Sequence, residues 1–203
     1  MSRYRGPRVK LLRRLGMDLP GLTPKSQSRR AYPPGEHGAK GTRRKKTEFA
    51  LHLLEKQKVR INYGLSERQL RKLVKDANRM KGDTGLNILR LLEQRLDNVV
   101  FRMGVGRSIP HARQVVTHGH VLINGRRVNI PSFRVKPGME ISLSEKLLNN
   151  EGVKETLARP ALARPSYIKF ENNKALISEL PSRTDVPFEV QENLIVEYYA
   201  PRV

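Results

Sequence analysis

Side chains that could bind phosphate are concentrated between Arg95 and Val135. The candidates are Arg102, Arg107, Arg113, Gln114, His118, His120, Asn124, Arg126, Arg127 and Arg134. A guanidinium group is planar and grips a phosphate with two hydrogen bonds, which suits arginine to this chemistry. Residues 96–145 contain 7 basic and only 3 acidic residues, so we expect most of these arginines to lack local acidic partners. The segment predicts contact with RNA or DNA, and a solvated arginine face is the alternative.

Patterns typical of an active site are missing from the sequence. It has no P-loop, no nucleophile elbow and no His-x-Glu pair of a zinc enzyme. Gly104-Val105-Gly106 lacks the third glycine of a dinucleotide-binding loop. The chain also has no cysteine, which excludes thiol catalysis and cysteine-ligated metals. We therefore predict a protein that is not an enzyme and that uses no cofactor or metal.

Two further groups of polar residues have ordinary interpretations. His118 and His120 flank a glycine and have no carboxylate or cysteine beside them. A hydrogen-bond donor to phosphate or a base edge, or a turn histidine, fits them better than a metal ligand. Asp97 is expected to brace Arg95 or Arg102 rather than to act as a general base.

The positive charge is graded along the 203 residues. The whole chain carries a formal charge of +21, and residues 1–46 hold 14 basic and 2 acidic residues, whereas residues 146–203 hold 8 of each. A basic arm on a less basic body is typical of a nucleic-acid binder. The alternative, a basic helix on a membrane surface, is disfavoured because prolines and glycines interrupt the arm. No apolar stretch is long enough to predict a membrane span or a secretory signal.

The elements that must position these residues begin with helices. Residues 8–15 predict a short helix in an otherwise irregular arm, which we expect to become fully ordered only against phosphate. Thr47 is a plausible N-cap of the next helix, and Ser66 with Gln69 forms a capping-box pattern before another. Residues 86–103 are long enough for two helices, with a bend or a domain boundary near Glu93 to Leu96.

The periodicity changes after Gly104. A short helix from Ser108 to Val116 is followed by a β-hairpin at Asn124-Gly125, since these residues accept the positive φ angles of a tight turn. Residues 141–143 extend the sheet, and residues 144–165 predict a charged helix and a proline-bearing linker. The alternation over residues 194–199 predicts a strand or short buried segment.

Several motifs together resemble the family of small-subunit ribosomal protein four, in its cysteine-free bacterial or plastid form. The segments RLDNVVFRMG (95–104), ARQVVTHGHVLING (112–125) and RVNIPSFRVKPGM (127–139) are similar to the RNA-binding module named after that protein. This module is also attached to RNA-modifying enzymes and to a free-standing RNA binder. The rest of the chain favours the ribosomal protein, because further matches lie in order at SRYRGPRVKLLRRLG (2–16), PPGEHG (33–38), EKQKVRINYGLSERQL (55–70), KGDTG (81–85) and ENLIVEYY (192–199).

The resemblance implies an α+β fold. A mostly helical domain, formed by residues 47–93 and 171–203, receives an inserted RNA-binding module at 94–170, in which two helices pack on a small antiparallel sheet. Residues 1–46 form the basic N-terminal arm.

The resemblance also implies a primary rRNA-binding protein that clamps a multi-helix junction and nucleates assembly of the small subunit. It implies contact with small-subunit ribosomal protein five and with mRNA, contributions to translational accuracy, no membrane or small-molecule partner, and a ribosome-bound location in the bacterial cytoplasm or the plastid stroma. The mRNA-channel candidates are Lys40, Arg43 and Arg44. The rRNA-binding candidates are Arg3, Arg5, Arg8, Lys10, Arg13, Arg14, Lys56, Lys58, Arg60, Arg68, Arg71, Lys72, Arg107, Arg113, Gln114, His118, His120, Asn124, Arg126 and Arg127.

Overall fold

Two compact units make up the chain. The computed structural model describes residues 4–26, 30, 32–41 and 47–202. The first unit comprises residues 1–88 and 188–203, and the second comprises residues 89–187. The second unit is therefore longer at both ends than the inserted module predicted at 94–170, and residue 170 lies inside a strand. The domain boundaries from the sequence stay a prediction.

The arm in the first unit is held by apolar contacts. Helix α1 (Arg8–Leu15) ends at Gly16, whose φ of 72° is left-handed. The arm's buried leucines are Leu12, Leu15, Leu19 and Leu22. The backbone amide of Gly21 also donates a 2.9 Å hydrogen bond to Oδ1 of Asn62. This part of the arm packs through its buried leucines, and the expectation that full order requires phosphate stays a prediction.

The rest of the first unit is helical. The short α2 (Gly38–Gly41) precedes α3 (Glu48–Asn62), α4 (Glu67–Asn78) and α5 (Thr84–Glu93), the last of which continues into the second unit. Thr47 caps α3 by accepting a hydrogen bond from the Ala50 amide at 3.3 Å. Ser66 and Gln69 form the predicted capping box of α4 in both directions. None of the described helices is long and apolar enough to cross a membrane.

The carboxy-terminal segment corrects one prediction. Residues 194–199, for which a strand or short buried segment was predicted, form no strand and belong to a helix (Glu192–Tyr199). Its buried residues Ile195 and Tyr199 are four positions apart, on one helical face. The alternation in the sequence was misleading because the helix packs on α3, and this tertiary contact decides which side chains are buried.

The second unit combines helices with one antiparallel sheet, as the predicted α+β class requires. Helices α6 (Leu96–Arg102) and α7 (Ile109–Thr117) pack against each other. The sheet has the order β2-β1-β3-β5-β4. The strands are β1 (Val121–Ile123), β2 (Arg126–Arg127), β3 (Glu140–Leu143), β4 (Ile168–Glu171) and β5 (Lys174–Ile177). Helices α8 (Glu145–Leu148) and α9 (Glu151–Ala158) precede β4, and the carboxy-terminal helix of the first unit is α10.

The hairpin between β1 and β2 has the predicted turn. Asn124 and Gly125 have φ angles of 48° and 77°, and Ile123 pairs with Arg126. The Asn124 side chain also accepts a 2.9 Å hydrogen bond from the Glu140 amide. This bond links the turn to β3.

Candidate nucleic-acid interface

Helix α4 presents a row of cations on one face. Its opposite face buries Leu70, Leu73, Val74 and Ala77, so the side chains between these positions must point outward. The exposed basic residues on or next to the helix are Arg68, Arg71, Lys72, Lys75 and Arg79. The first three were predicted from the sequence. Lys75 and Arg79 were missed, although their spacing from Arg68 and Lys72 extends the same helical face.

The arm contributes a second group of cations. Arg5, Lys10 and Arg14 are exposed. Arg8 instead donates to the Leu22 carbonyl at 3.2 Å, and Arg13 donates to the Tyr32 carbonyl at 3.1 Å. These two arginines thus help to fold the arm, and each uses part of its guanidinium to do so.

The cations of α3 are mostly occupied by protein partners. Lys56 is only 4% exposed, and its ammonium lies 2.9 Å from Glu67 Oε2 and 4.8 Å from the ring centre of Tyr198. This burial and pairing disfavour Lys56 as an rRNA contact, and its assignment stays a prediction. Lys58 forms an ion pair with Glu55, and Arg60 donates to Gln57 at 2.9 Å.

The hairpin of the second unit displays Arg126 and Arg127. Both residues are exposed, and neither forms an ion pair within the described part of the chain. Adjacent strand residues point to opposite faces, so the two guanidinium groups leave opposite sides of the sheet. Arg127 also passes over the glycine between the two histidines, because a Cβ atom at Gly119 would lie 3.1 Å from its Cδ.

The two histidines lie beside this hairpin. The ring centres of His118 and His120 are 6.4 Å apart, and Nδ1 of His120 is 3.1 Å from Ser144 Oγ. His118 is exposed, as is Gln114 one helical turn before it. Among the described residues there is no cluster of three or more histidine, aspartate or glutamate side chains that could hold a metal ion.

Three arginines of the second unit have acidic partners that the sequence did not predict. Arg113 lies 2.6 Å from Asp97 and Arg107 lies 2.9 Å from Glu155, while Arg102 donates to the backbone carbonyl of Asp185 at 2.7 Å and lies 3.9 Å from Glu93. The expectation that most arginines here lack local acidic partners is therefore wrong for these three. The expectation considered only the acids within residues 96–145, and Glu93 and Glu155 lie outside this range. Asp97 lies within it and pairs with both Arg95 and Arg113.

The Arg107 pair is the most accessible of these. Both side chains are more than half exposed, so solvent weakens the pair and a phosphate can compete for the arginine. Partial burial, followed by the charge of Arg107, lowers the pKa of nearby His111 below its ordinary value of 6.5. His111 is therefore neutral at physiological pH.

A buried polar network of the second unit was not predicted from the sequence. Glu93 is fully buried and accepts hydrogen bonds from Asn98 at 2.9 Å and from the Tyr167 hydroxyl at 3.2 Å. Burial and the Glu93 carboxylate raise the pKa of Tyr167 well above 10.0, so the phenol stays protonated and donates. The network is closed to solvent, which makes its role structural.

The side chains of four predicted RNA-binding residues are not among those that the structure describes. Arg3, Arg43 and Arg44 lie outside the described residues, and Lys40 is placed by its backbone alone, within α2. The remaining exposed candidates lie on helical and hairpin surfaces of the two units, except Arg5, which precedes α1.

Comparison with known proteins gives one consistent result. Residues 3–93 match the family model described as the ribosomal protein S4/S9 N-terminal domain, and residues 94–141 match the S4 domain. The protein named small ribosomal subunit protein uS4 from Methylobacillus flagellatus is 54% identical over 205 residues, covering 100% of both chains. Proteins of the same name from Cyanothece sp. and Nostoc sp. are 51% identical over 207 residues and 52% identical over 203 residues, covering 100% and 98% of each chain.

Proposed function

Because the chain belongs to the uS4 family of small ribosomal subunit proteins, a structural and non-enzymatic family, we propose that it is a primary rRNA-binding protein that clamps a multi-helix junction. The chain is a ribosome-bound component of the small subunit and contains an RNA-binding S4 domain. The junction, the assembly role and the individual contacts are the proposal.

The observation that carries the proposal is the cation row of α4. Arg68, Lys72, Lys75 and Arg79 recur at nearly one-turn spacing on a helix whose other face is locked into the core. A rigid row of charges can neutralise successive phosphates of a folded RNA without reorganising. Arg126 and Arg127 on the hairpin supply a separate contact from the second unit.

Recognition is expected to depend on RNA shape and backbone. The deep groove of A-form RNA is too narrow for side chains, so structured RNA is recognised mainly through phosphates and 2′-hydroxyls. Aromatic residues make up only 5% of the chain and tryptophan is missing, which disfavours stacking on single-stranded bases as the main contact.

A salt titration tests the phosphate clamp. If about eight phosphates are neutralised, the logarithm of affinity for small-subunit rRNA falls with the logarithm of salt concentration at a slope near −6. A slope shallower than about −2 in filter binding would contradict the clamp. Polyuridylate of matched length is the control, because an unstructured polymer carries the charge without the shape.

A second experiment separates the proposal from a free-standing basic RNA binder. The chain should be found in stoichiometric amount in the small-subunit fractions of a sucrose gradient. Finding it mainly in the ribosome-free fractions would favour the free-standing binder. The same fractionation on plastids and on bacteria would decide between the two locations.

The assembly role follows from binding early. A protein that fixes the angles between RNA helices lowers the entropy cost of later binding steps. Reconstitution of small subunits without the chain should lose later-binding proteins, and late addition should not restore them. An effect on accuracy would appear as altered misreading by subunits that carry variants.

A protein contact is supported by an apolar patch in the first unit. Phe49 is 54% exposed and its ring centre lies 6.0 Å from that of Tyr198. The acidic residues Glu48 and Glu197 lie on the same helices, so the patch suits a basic protein better than RNA. We assign it to small-subunit ribosomal protein five. Phe49→Asp should weaken binding of that purified protein, whereas Leu180→Asp in the second unit should not.

The mRNA contact rests on the basic residues near PPGEHG. Lys40, Arg43 and Arg44 are followed by two more lysines, so this segment carries a dense positive charge. Photo-crosslinking of 4-thiouridine-labelled mRNA to small subunits should reach this segment. Loss of the crosslink in the triple alanine variant, with rRNA binding retained, would support the assignment, and an unchanged crosslink would contradict it.

A further inference from the structure

The basic arm of the first unit displays aromatic rings at its surface. Among the described aromatic residues of the chain, only Tyr4, Tyr32 and Phe49 are exposed. The two tyrosines lie in residues 1–46, which hold 14 basic and 2 acidic residues. An RNA strand attracted by this charge therefore meets two of the three exposed rings.

A guanidinium group covers part of one of these rings. The guanidinium carbon of Arg13 lies over the Tyr32 ring, 5.0 Å from its centre. The Nε group of Arg13 also donates to the Tyr32 carbonyl at 3.1 Å, and Nη2 donates to the Pro33 carbonyl at 3.5 Å. Tyr32 nevertheless remains 37% exposed. Arg13 thus holds both the backbone and the ring of Tyr32 while leaving ring surface open to solvent.

The turn that follows Tyr32 is tightly closed. The Gly38 amide donates to the Gly35 carbonyl at 3.2 Å. A Cβ atom at Gly38 would lie 1.9 Å from the Pro33 carbonyl oxygen, so this close approach requires glycine. The ring is therefore fixed between this turn and α1, which carries Arg13. Fixing a side chain in advance reduces the entropy that is lost when a ligand binds.

We propose that the stacked pair of Tyr32 and Arg13 is a binding site for an unpaired base of small-subunit rRNA. Bases that leave an RNA helix stack on aromatic and guanidinium planes. Every base has a π-face, so such a site accepts a base of any identity. This inference rests on the proposed rRNA binding and adds one base contact to the phosphate contacts.

Three exposed cations lie close to this pair in the sequence. Lys10 and Arg14 are on α1 together with Arg13, and Arg30 precedes Tyr32 by two residues. These cations can bind the phosphates on either side of a stacked base. Stacking on a neutral ring displaces no counterion, whereas each phosphate contact does. Loss of the ring should therefore change the affinity for RNA without changing its salt dependence.

Two substitutions of Tyr32 test the site. Tyr32→Leu removes the ring, so its affinity for small-subunit rRNA in filter binding should fall about tenfold while the salt slope stays that of the unaltered chain. Tyr32→Phe keeps the ring and should bind within about twofold of the unaltered chain. A fully base-paired RNA duplex should bind both variants equally, because its bases remain stacked inside the helix.

Two further variants serve as controls. Tyr4 is the other exposed tyrosine of the arm, and its hydroxyl donates to the Pro7 carbonyl at 3.4 Å. Tyr4→Leu should change the affinity for rRNA by less than about twofold. Tyr32→Trp should bind at least as tightly as the unaltered chain, which keeps the test decisive if Tyr32→Leu does not fold. Circular dichroism checks that each variant is folded.

The outcomes separate this inference from the proposed function. The inference is overturned if Tyr32→Leu binds rRNA like Tyr32→Phe, if Tyr32→Trp loses affinity, or if Tyr4→Leu loses as much as Tyr32→Leu. A shallower salt slope in Tyr32→Leu would also overturn it, because the ring would then only position a cation for phosphate. If the unaltered chain already has a slope shallower than about −2, the proposed function itself fails.

Discussion

The hydroxyl of Tyr199 donates a 2.6 Å hydrogen bond to Oε1 of Glu67, joining two residues 132 positions apart in the chain. The other carboxylate oxygen of Glu67 accepts from Lys56 at 2.9 Å. Glu67 is the first residue of α4, so its carboxylate links this helix to Tyr199 of α10 and to Lys56 of α3. Burial and the Glu67 carboxylate raise the pKa of Tyr199 far above 10.0, so the hydroxyl keeps its proton and remains a donor.

Removing this hydroxyl should destabilise the first unit. We expect Tyr199→Phe to lower the free energy of unfolding by about 1 kcal/mol, below the usual range for a bond to a charged group because Glu67 is half exposed to solvent. Urea denaturation measures the change. Tyr32→Phe, at an exposed tyrosine, is the control and should stay within about 0.5 kcal/mol of the unaltered chain. Equal effects of the two substitutions would contradict a stabilising Tyr199–Glu67 bond.

The same carboxylate should make stability depend on pH. Partial burial alone would raise the pKa of Glu67, but hydrogen bonds from Tyr199 and Lys56, helped by the charges of Lys56 and Arg60, hold it below its ordinary value of 4.5. A lowered pKa in the folded state adds stability above the unfolded value, and this stability is lost as pH falls through the folded pKa.

The variant Glu67→Gln isolates this effect. Unfolding free energies measured from neutral pH down to about pH 3 should fall more steeply for the unaltered chain than for Glu67→Gln. The two curves should therefore converge at the acidic end. Parallel curves would show that Glu67 has the same pKa in the folded and unfolded chain.

Arg113 and Arg126 should differ in what they do for the fold. Arg113→Ala takes two hydrogen bonds from the buried Asp97 carboxylate, so it should cost about 2 kcal/mol of stability. Arg126→Ala removes an exposed side chain and should cost less than about 0.5 kcal/mol. Thermal unfolding of the two single variants measures the difference. A stable Arg113→Ala protein would mean that Arg95 alone satisfies Asp97.

Local chemistry explains which elements could be predicted from the sequence. The capping box of Ser66 and Gln69 and the turn at Asn124 and Gly125 depend on residues within a few positions of one another, and both are present as predicted. Strands β4 and β5 were not predicted. Strand β5 pairs with β3 across a long, proline-bearing stretch, and β4 pairs only with β5, through a turn at Asn172 and Asn173. Helix α10 was misjudged for a related reason, since its buried face is set by α3.

Partners of charged residues were harder to predict than the elements that carry them. Lys56 and Arg68 look alike in sequence, but Glu67 and Tyr198 enclose the former and leave the latter exposed. Whether a cation is available to RNA depends on acids and rings contributed by distant segments. Three cations of α4, both arginines of the hairpin and a pairing of Asp97 with Arg95 were predicted, whereas the pairing of Asp97 with Arg113 required the structure.

Two neighbouring residues of α4 should separate folding from RNA binding. Leu73 is buried and Lys72 is exposed on the opposite face. Leu73→Ala leaves a cavity and should cost about 2–4 kcal/mol of stability, while molecules that remain folded keep the salt slope of rRNA binding. Lys72→Ala should change stability by less than about 0.5 kcal/mol but make the salt slope shallower by about 0.7–0.9. Denaturant unfolding measures the stability of each variant, and filter binding measures its salt slope. If Lys72→Ala left the slope unchanged while Leu73→Ala altered it, the basic face of α4 would not be an RNA-binding surface, because the charge it displays would then be irrelevant to the phosphates.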